Sequence, residues 1–119
     1  MKLRLYDDSL RLRLSQSEVA QFEQNGRVES VVSFPPDGAL TYSLEAADVA
    51  RLAARLNAGS VSVLVPKAMA QTWISTDQTA MESSTSTPRI LIEKDFQCLH
   101  KGADARDPNA YPNPAASAD

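Results

Sequence analysis

Ala46-Ala-Asp-Val-Ala-Arg-Leu-Ala-Ala-Arg-Leu-Asn-Ala-Gly59 decides the fold, because it reads in two ways. As a helix, Asp48 caps a face of Val49, Leu52, Ala53 and Leu56, and alanine and arginine favour that state. As a strand, Leu52, Ala54 and Leu56 alternate with Arg51, Ala53 and Arg55, and Asn57-Ala-Gly59 turns the chain into Ser60 to Val65. Periodicity alone does not separate the two.

Working outward, an internal repeat favours the strand. Leu10, Leu12 and Leu14, followed by a helix containing Val19-Ala-Gln21, correspond to Val61, Val63 and Val65, followed by a helix containing Met69-Ala-Gln71. Each half then reads strand, strand, helix, strand, strand, and the second half needs a strand over 50 to 56 to match residues 2 to 6. Pro66 stands in the first turn of the second helix, where its missing N–H costs nothing. Val19, Phe22, Met69 and Trp73 are the residues these helices are expected to bury.

The first half carries the clearest local signals. Leu3 and Leu5 face the same way as Leu10, Leu12 and Leu14 across an Asp7-Asp8 turn, which sets Arg4 against Arg11 and Lys2 against Arg13. Such opposed cations need carboxylates from a neighbouring strand, or else the face binds an anion; Glu29, Glu45, Glu93 and Asp95 are the candidates for neutralising it. Ser15 and Glu18 form a capping box, with Leu14 and Val19 spaced as a hydrophobic staple and Asn25-Gly26 as the stop, so residues 16 to 25 are a helix. Arg27 to Phe34 is a strand on Val28, Val32 and Phe34. Pro35-Pro36-Asp37-Gly38 turns it back into Leu40, Tyr42 and Leu44.

The expected architecture is an α+β domain over residues 1–100: a mostly antiparallel sheet of seven or eight strands with two short helices on one side. A chain of 119 residues is one domain with a real core. Hydrophobic residues at 43% and charged residues at 23% are ordinary globular values, and no apolar run is long enough to span a bilayer. One cysteine permits no internal disulfide, which with the charged opening residues points to the cytoplasm. A net charge of −3 argues against a general nucleic-acid binder. Residues 101–119 are rich in Pro, Ala and Asp, a tail that is either flexible or docked through Tyr111-Pro-Asn-Pro114.

Chemistry concentrates in Arg89-Ile-Leu-Ile-Glu-Lys-Asp-Phe-Gln-Cys-Leu-His100, which holds the single cysteine and the single histidine. Ile90, Ile92 and Phe96 form an apolar row that Lys94 breaks, its stem expected to be buried and its ammonium to reach past Phe96 to water. If the strand runs on, Cys98 and His100 leave the backbone on one side. With Asp104 and Asp107 they make a candidate site for zinc or another transition metal, which wants four ligands. The blander reading has Cys98 as a small buried hydrophobe and His100 as a surface residue. Lys94 or His100 could lower the Cys98 thiol pKa for nucleophilic chemistry, but no third orienting group is visible.

This stretch, with Asp107 and Tyr-Pro-Asn-Pro at 111 to 114, the opening Lys-Leu-Arg-Leu and Val-Pro-Lys at 65 to 67, resembles a family of small uncharacterised bacterial proteins. The resemblance implies no activity. The first functional expectation is a non-enzymatic binding or interaction module, partnered by another protein or by itself, with Lys94 and Tyr111 on its surface. The second is a metal site or small enzyme on Cys98 and His100. The third is anion or nucleic-acid binding by Arg4, Arg11 and Arg13.

Overall fold

The computed structural model describes residues 1–96 and 111–112. Eight strands and two helices follow in the order β1 (Lys2–Tyr6), β2 (Ser9–Leu14), α1 (Gln16–Asn25), β3 (Arg27–Phe34), β4 (Gly38–Ala47), β5 (Ala53–Asn57), β6 (Ser60–Pro66), α2 (Lys67–Ser75), β7 (Ala80–Ser83) and β8 (Arg89–Lys94). The deciding stretch holds a strand rather than a helix, as the repeat requires, but β5 runs over Ala53–Asn57 and not from residue 50, and Ala46 and Ala47 close β4. Among the described residues, no helix is long and apolar enough to cross a membrane.

The strands form two separate four-stranded sheets, β1-β2-β8-β7 and β3-β4-β6-β5, and not one sheet of seven or eight. Each half of the chain lends one hairpin to each sheet. In both sheets the outer pairs are antiparallel and the central pair, β2 with β8 or β4 with β6, is parallel. Alternation along a strand says which face is apolar; it carries no information about which hairpin lies alongside. The same backbone bond keys both parallel pairs: Thr41 N–H donates to Gly59 O and Arg89 N–H to Asp8 O, each at 3.0 Å.

The register of the first hairpin is the expected one, with Leu5 opposite Leu10, Leu3 opposite Leu12, Arg4 opposite Arg11 and Lys2 opposite Arg13. Leucines and valines of both sheets meet Phe22, Ala70 and Trp73 of the helices in one core. The helices do not lie on one side of a single sheet. α1 packs on β2 and β3 and α2 on β4, β6 and β7, so each covers strands of both sheets. Phe22 and Trp73 meet edge to face, ring centroids 6.3 Å apart.

Two expectations about side chains are corrected. Met69 is 37% exposed, and Ala70 is buried in its place beside Trp73. Matching Val19 to Met69 slips the repeat by one residue: with Leu14 equivalent to Val65, the caps Ser15 and Pro66 and the rings Phe22 and Trp73 fall into register, which puts Ala70, not Met69, at the place of Val19. The strand through residues 89 to 96 also stops early, at Lys94, leaving Phe96 61% exposed. Its neighbour β2 ends at Leu14, and after the Asp95 N–H donates to Leu14 O at 2.8 Å the ladder has no further partner.

Candidate functional site

Among the described residues, Leu14, Gln16, Val19, Lys94, Asp95 and Phe96 line a cleft of about 490 Å³. It lies where the parallel strands β2 and β8 end together and α1 begins. Its walls follow from the capping box. The Ser15 N–H and Oγ–H donate to Glu18 Oε1 at 2.9 and 3.0 Å, and the Glu18 N–H donates to Ser15 Oγ at 3.4 Å. This turns the chain sharply after β2 and stands Val19 over Leu14, the two residues of the expected staple. The Met1 ammonium donates to the other Glu18 oxygen. Burial alone would raise the Glu18 pKa, but the hydrogen bonds from that ammonium and from Ser15 outweigh it and hold the carboxyl below its ordinary value.

The charged groups of the cleft are already engaged. The Lys94 ammonium donates to Thr76 O at 2.9 Å in an exposed hydrogen bond at the carboxyl end of α2, and lies 5.4 Å from the centre of the Trp73 ring. Helix carbonyls and an aromatic face both favour a cation there. Asp95 accepts from Lys2 Nζ at 3.1 Å. What the cleft presents is therefore an apolar floor and wall with paired charges at the rim, which suits binding an apolar group better than activating a nucleophile. The cleft was not foreseen, although the staple residues marked its floor.

The basic face lies on the outer side of β1, β2 and β8. Glu93 sits opposite Arg13 in the parallel register and accepts from Arg13 Nη2 at 2.8 Å, with Arg11 Nε at 3.7 Å. Glu93 and Asp95 thus neutralise much of the opposed cationic rows; Glu29 and Glu45 instead pair with Arg27 in the other sheet. Arg4 stands apart. Among the described residues it has no carboxylate within 4 Å, and its guanidinium lies 5.9 Å from the centre of the Tyr6 ring.

Cys98, His100, Asp104 and Asp107 lie outside the described residues, so their mutual placement is not part of this geometry. Among the described residues, no three of the His, Cys, Asp and Glu side chains stand close enough to hold a metal ion. Tyr111 is described and is 96% exposed.

A model described as a family of unknown function (DUF7009) matches residues 1–115, and the chain belongs to that family. No curated protein and no solved structure matches it.

Proposed function

We propose that this member of a family of unknown function is a non-enzymatic binding module of the bacterial cytoplasm, and that the cleft between β2, β8 and α1 receives an apolar side chain of a partner protein. One observation carries the reading: Val19 and the 61% exposed Phe96 leave apolar surface open over the buried Leu14, while Lys94 and Asp95 are held by Thr76, Trp73 and Lys2. Phe96 leads directly into Cys98 and His100, so that segment, and Tyr111 beyond it, belong to the same surface in this reading. The single cysteine supports the cytoplasmic part.

Photo-crosslinking tests the reading in cells. A benzophenone side chain at Gln16, on the cleft, is expected to capture a discrete partner that the same group at Glu23, on the exposed side of α1, does not. Capture that also disappears with Val19→Lys supports the cleft; equal capture at both positions, or none, removes it. Elemental analysis of the purified protein addresses the metal alternative. Stoichiometric zinc lost in both Cys98→Ser and His100→Ala would replace a pure binding role with a metal centre.

A second reading rests on Arg4. Its guanidinium, unpaired among the described residues and stacked near Tyr6, leaves the outer face of β1 able to take an anionic group such as a phosphate. Heparin retention abolished by Arg4→Glu and Arg11→Glu supports it, and retention that survives both sinks it.

A further inference from the structure

The two hairpins that the repeat makes equivalent differ in length. β3 and β4 run 8 and 10 residues, whereas β7 and β8, which occupy the same places in the other sheet, run 4 and 6. The core takes Val28 and Leu44 from the longer pair, as it takes Met81 and Ile92 from the shorter. The surplus lies beyond the core, and there Val31 is 56%, Val32 40% and Phe34 52% exposed.

Among the described residues, β3 is an edge strand, paired to β4 alone. The other three edges carry the devices that discourage a further strand: β1 has Lys2 and Arg4, β5 has Arg55, and β7 is four residues long with Glu82. β3 carries Arg27 and Glu29 at its start, but beyond them Ser30-Val-Val-Ser-Phe34 has neither charge nor proline, and it shows apolar side chains on both of its faces. An edge of this composition is a template for another strand.

We infer that two copies of this chain associate by pairing β3 with β3, antiparallel, about a two-fold axis through Val31. The pattern of the strand is self-complementary in that register. Val31 meets its own copy, Ser30 meets Val32, Glu29 meets Ser33 and Val28 meets Phe34, so no charge faces a like charge. The β3-β4-β6-β5 sheets of the two copies become one sheet of eight strands, and Val31, Val32 and Phe34 gain cover from the partner strand. This surface is remote in sequence from the cleft residues, and the inference does not depend on what the cleft binds.

Sedimentation of the full chain across the micromolar range, together with cysteine crosslinking, tests it. The wild type is expected to be a dimer, and Val31→Lys, which opposes two ammonium groups at the axis, to weaken the dimer by roughly tenfold or more while thermal unfolding stays cooperative. In a Cys98→Ser background, Val31→Cys is expected to form a disulfide-linked dimer on mild oxidation, because residues directly opposite bring their Cβ atoms to about 5 Å. Leu56→Cys, on the edge strand β5, serves as the comparison and should remain monomeric under denaturing electrophoresis. A wild type monomeric at every concentration, or Leu56→Cys linking as readily as Val31→Cys, overturns the inference.

Discussion

The two halves of the molecule, β1 to β4 with α1 and β5 to β8 with α2, place their core groups alike and finish their ends differently. Phe22 and Trp73 occupy equivalent helix positions, and Leu14 and Val65 hold equivalent buried places near the ends of β2 and β6. Yet α1 has a full capping box at Ser15, while α2 begins at Pro66 with no side-chain cap. α1 stops at Gly26 in the left-handed region, φ 69°; α2 stops at Thr76 in extended backbone. The turn opening each half is shared, with Asp7 and Ala58 both at φ 48°. What the two halves have in common is thus what the interior demands, and what distinguishes them lies at caps, edges and hairpin tips, where packing leaves sequence free.

Truncating the two rings is expected to give the largest effect. Phe22→Ala and Trp73→Ala should each cost about 3–5 kcal/mol by denaturant unfolding, with Trp73 at the upper end. The Trp73 Nε1–H donates to Thr79 O at 3.2 Å and the ring also receives the Lys94 ammonium, whereas Phe22 has only packing to lose. Since the rings touch edge to face, the double variant should cost less than the sum of the singles by about 0.5–1.5 kcal/mol. Strict additivity would mean that the halves do not share one core.

The helix starts are next. Ser15→Ala should cost about 1 kcal/mol, because Glu18 N–H and Ser15 Oγ lose one another in the first turn of α1. Pro66→Ala has no such bond to remove and should cost less in the same unfolding assay. Equal costs would show that the capping box does not set the stability of α1.

Acid should act unequally on the halves. The Glu18 pKa is held below its ordinary 4.5 in the folded protein. The stabilisation it provides is therefore present in full above about pH 4.5 and is lost as pH falls through the lower, folded value. Amide exchange in the first turn of α1 is expected to rise over that window, while that of α2, which has no titrating cap, follows global unfolding alone. Glu18→Gln should flatten the difference; if α1 and α2 open together in both proteins, the carboxylate is not what distinguishes them.

Much of this architecture was legible because it is local. Two-residue alternation fixed the register of the first hairpin, Ser15 and Glu18 announced α1, and the repeat turned an ambiguous stretch into β5. Pairing of hairpins across the two sheets was not legible, since Leu10 to Leu14 would bury equally well beside β8 or β4. Nor was the slip that exposed Met69, because Val-Ala-Gln and Met-Ala-Gln match as words but not as positions counted from the helix cap. The cleft was half visible. Leu14 and Val19 marked its floor, but the bond of Lys94 to Thr76 joins residues whose proximity depends on both sheets. Cys98 and His100, the most suggestive pair in the sequence, lie beyond the described residues, and the chemistry proposed for them rests on experiment.

The smallest effect sharpens the comparison between the sheets. Glu93 and Glu45 hold equivalent places on β8 and β4, but Glu93 faces Arg13 across the parallel pair and Glu45 faces Leu64. Glu45 turns instead to Arg27 on its other side, Nε to Oε1 at 3.6 Å. Arg13→Ala leaves Arg11 within 3.7 Å of Glu93, so the carboxylate keeps a cation and the loss should be only about 0.2–1 kcal/mol, shrinking in high salt. Arg27→Ala, by contrast, removes the partner of both Glu45 and Glu29. It should therefore cost at least as much as Arg13→Ala despite the longer contact to Glu45, and the reverse order would show that the number of available cations does not decide how these exposed carboxylates contribute.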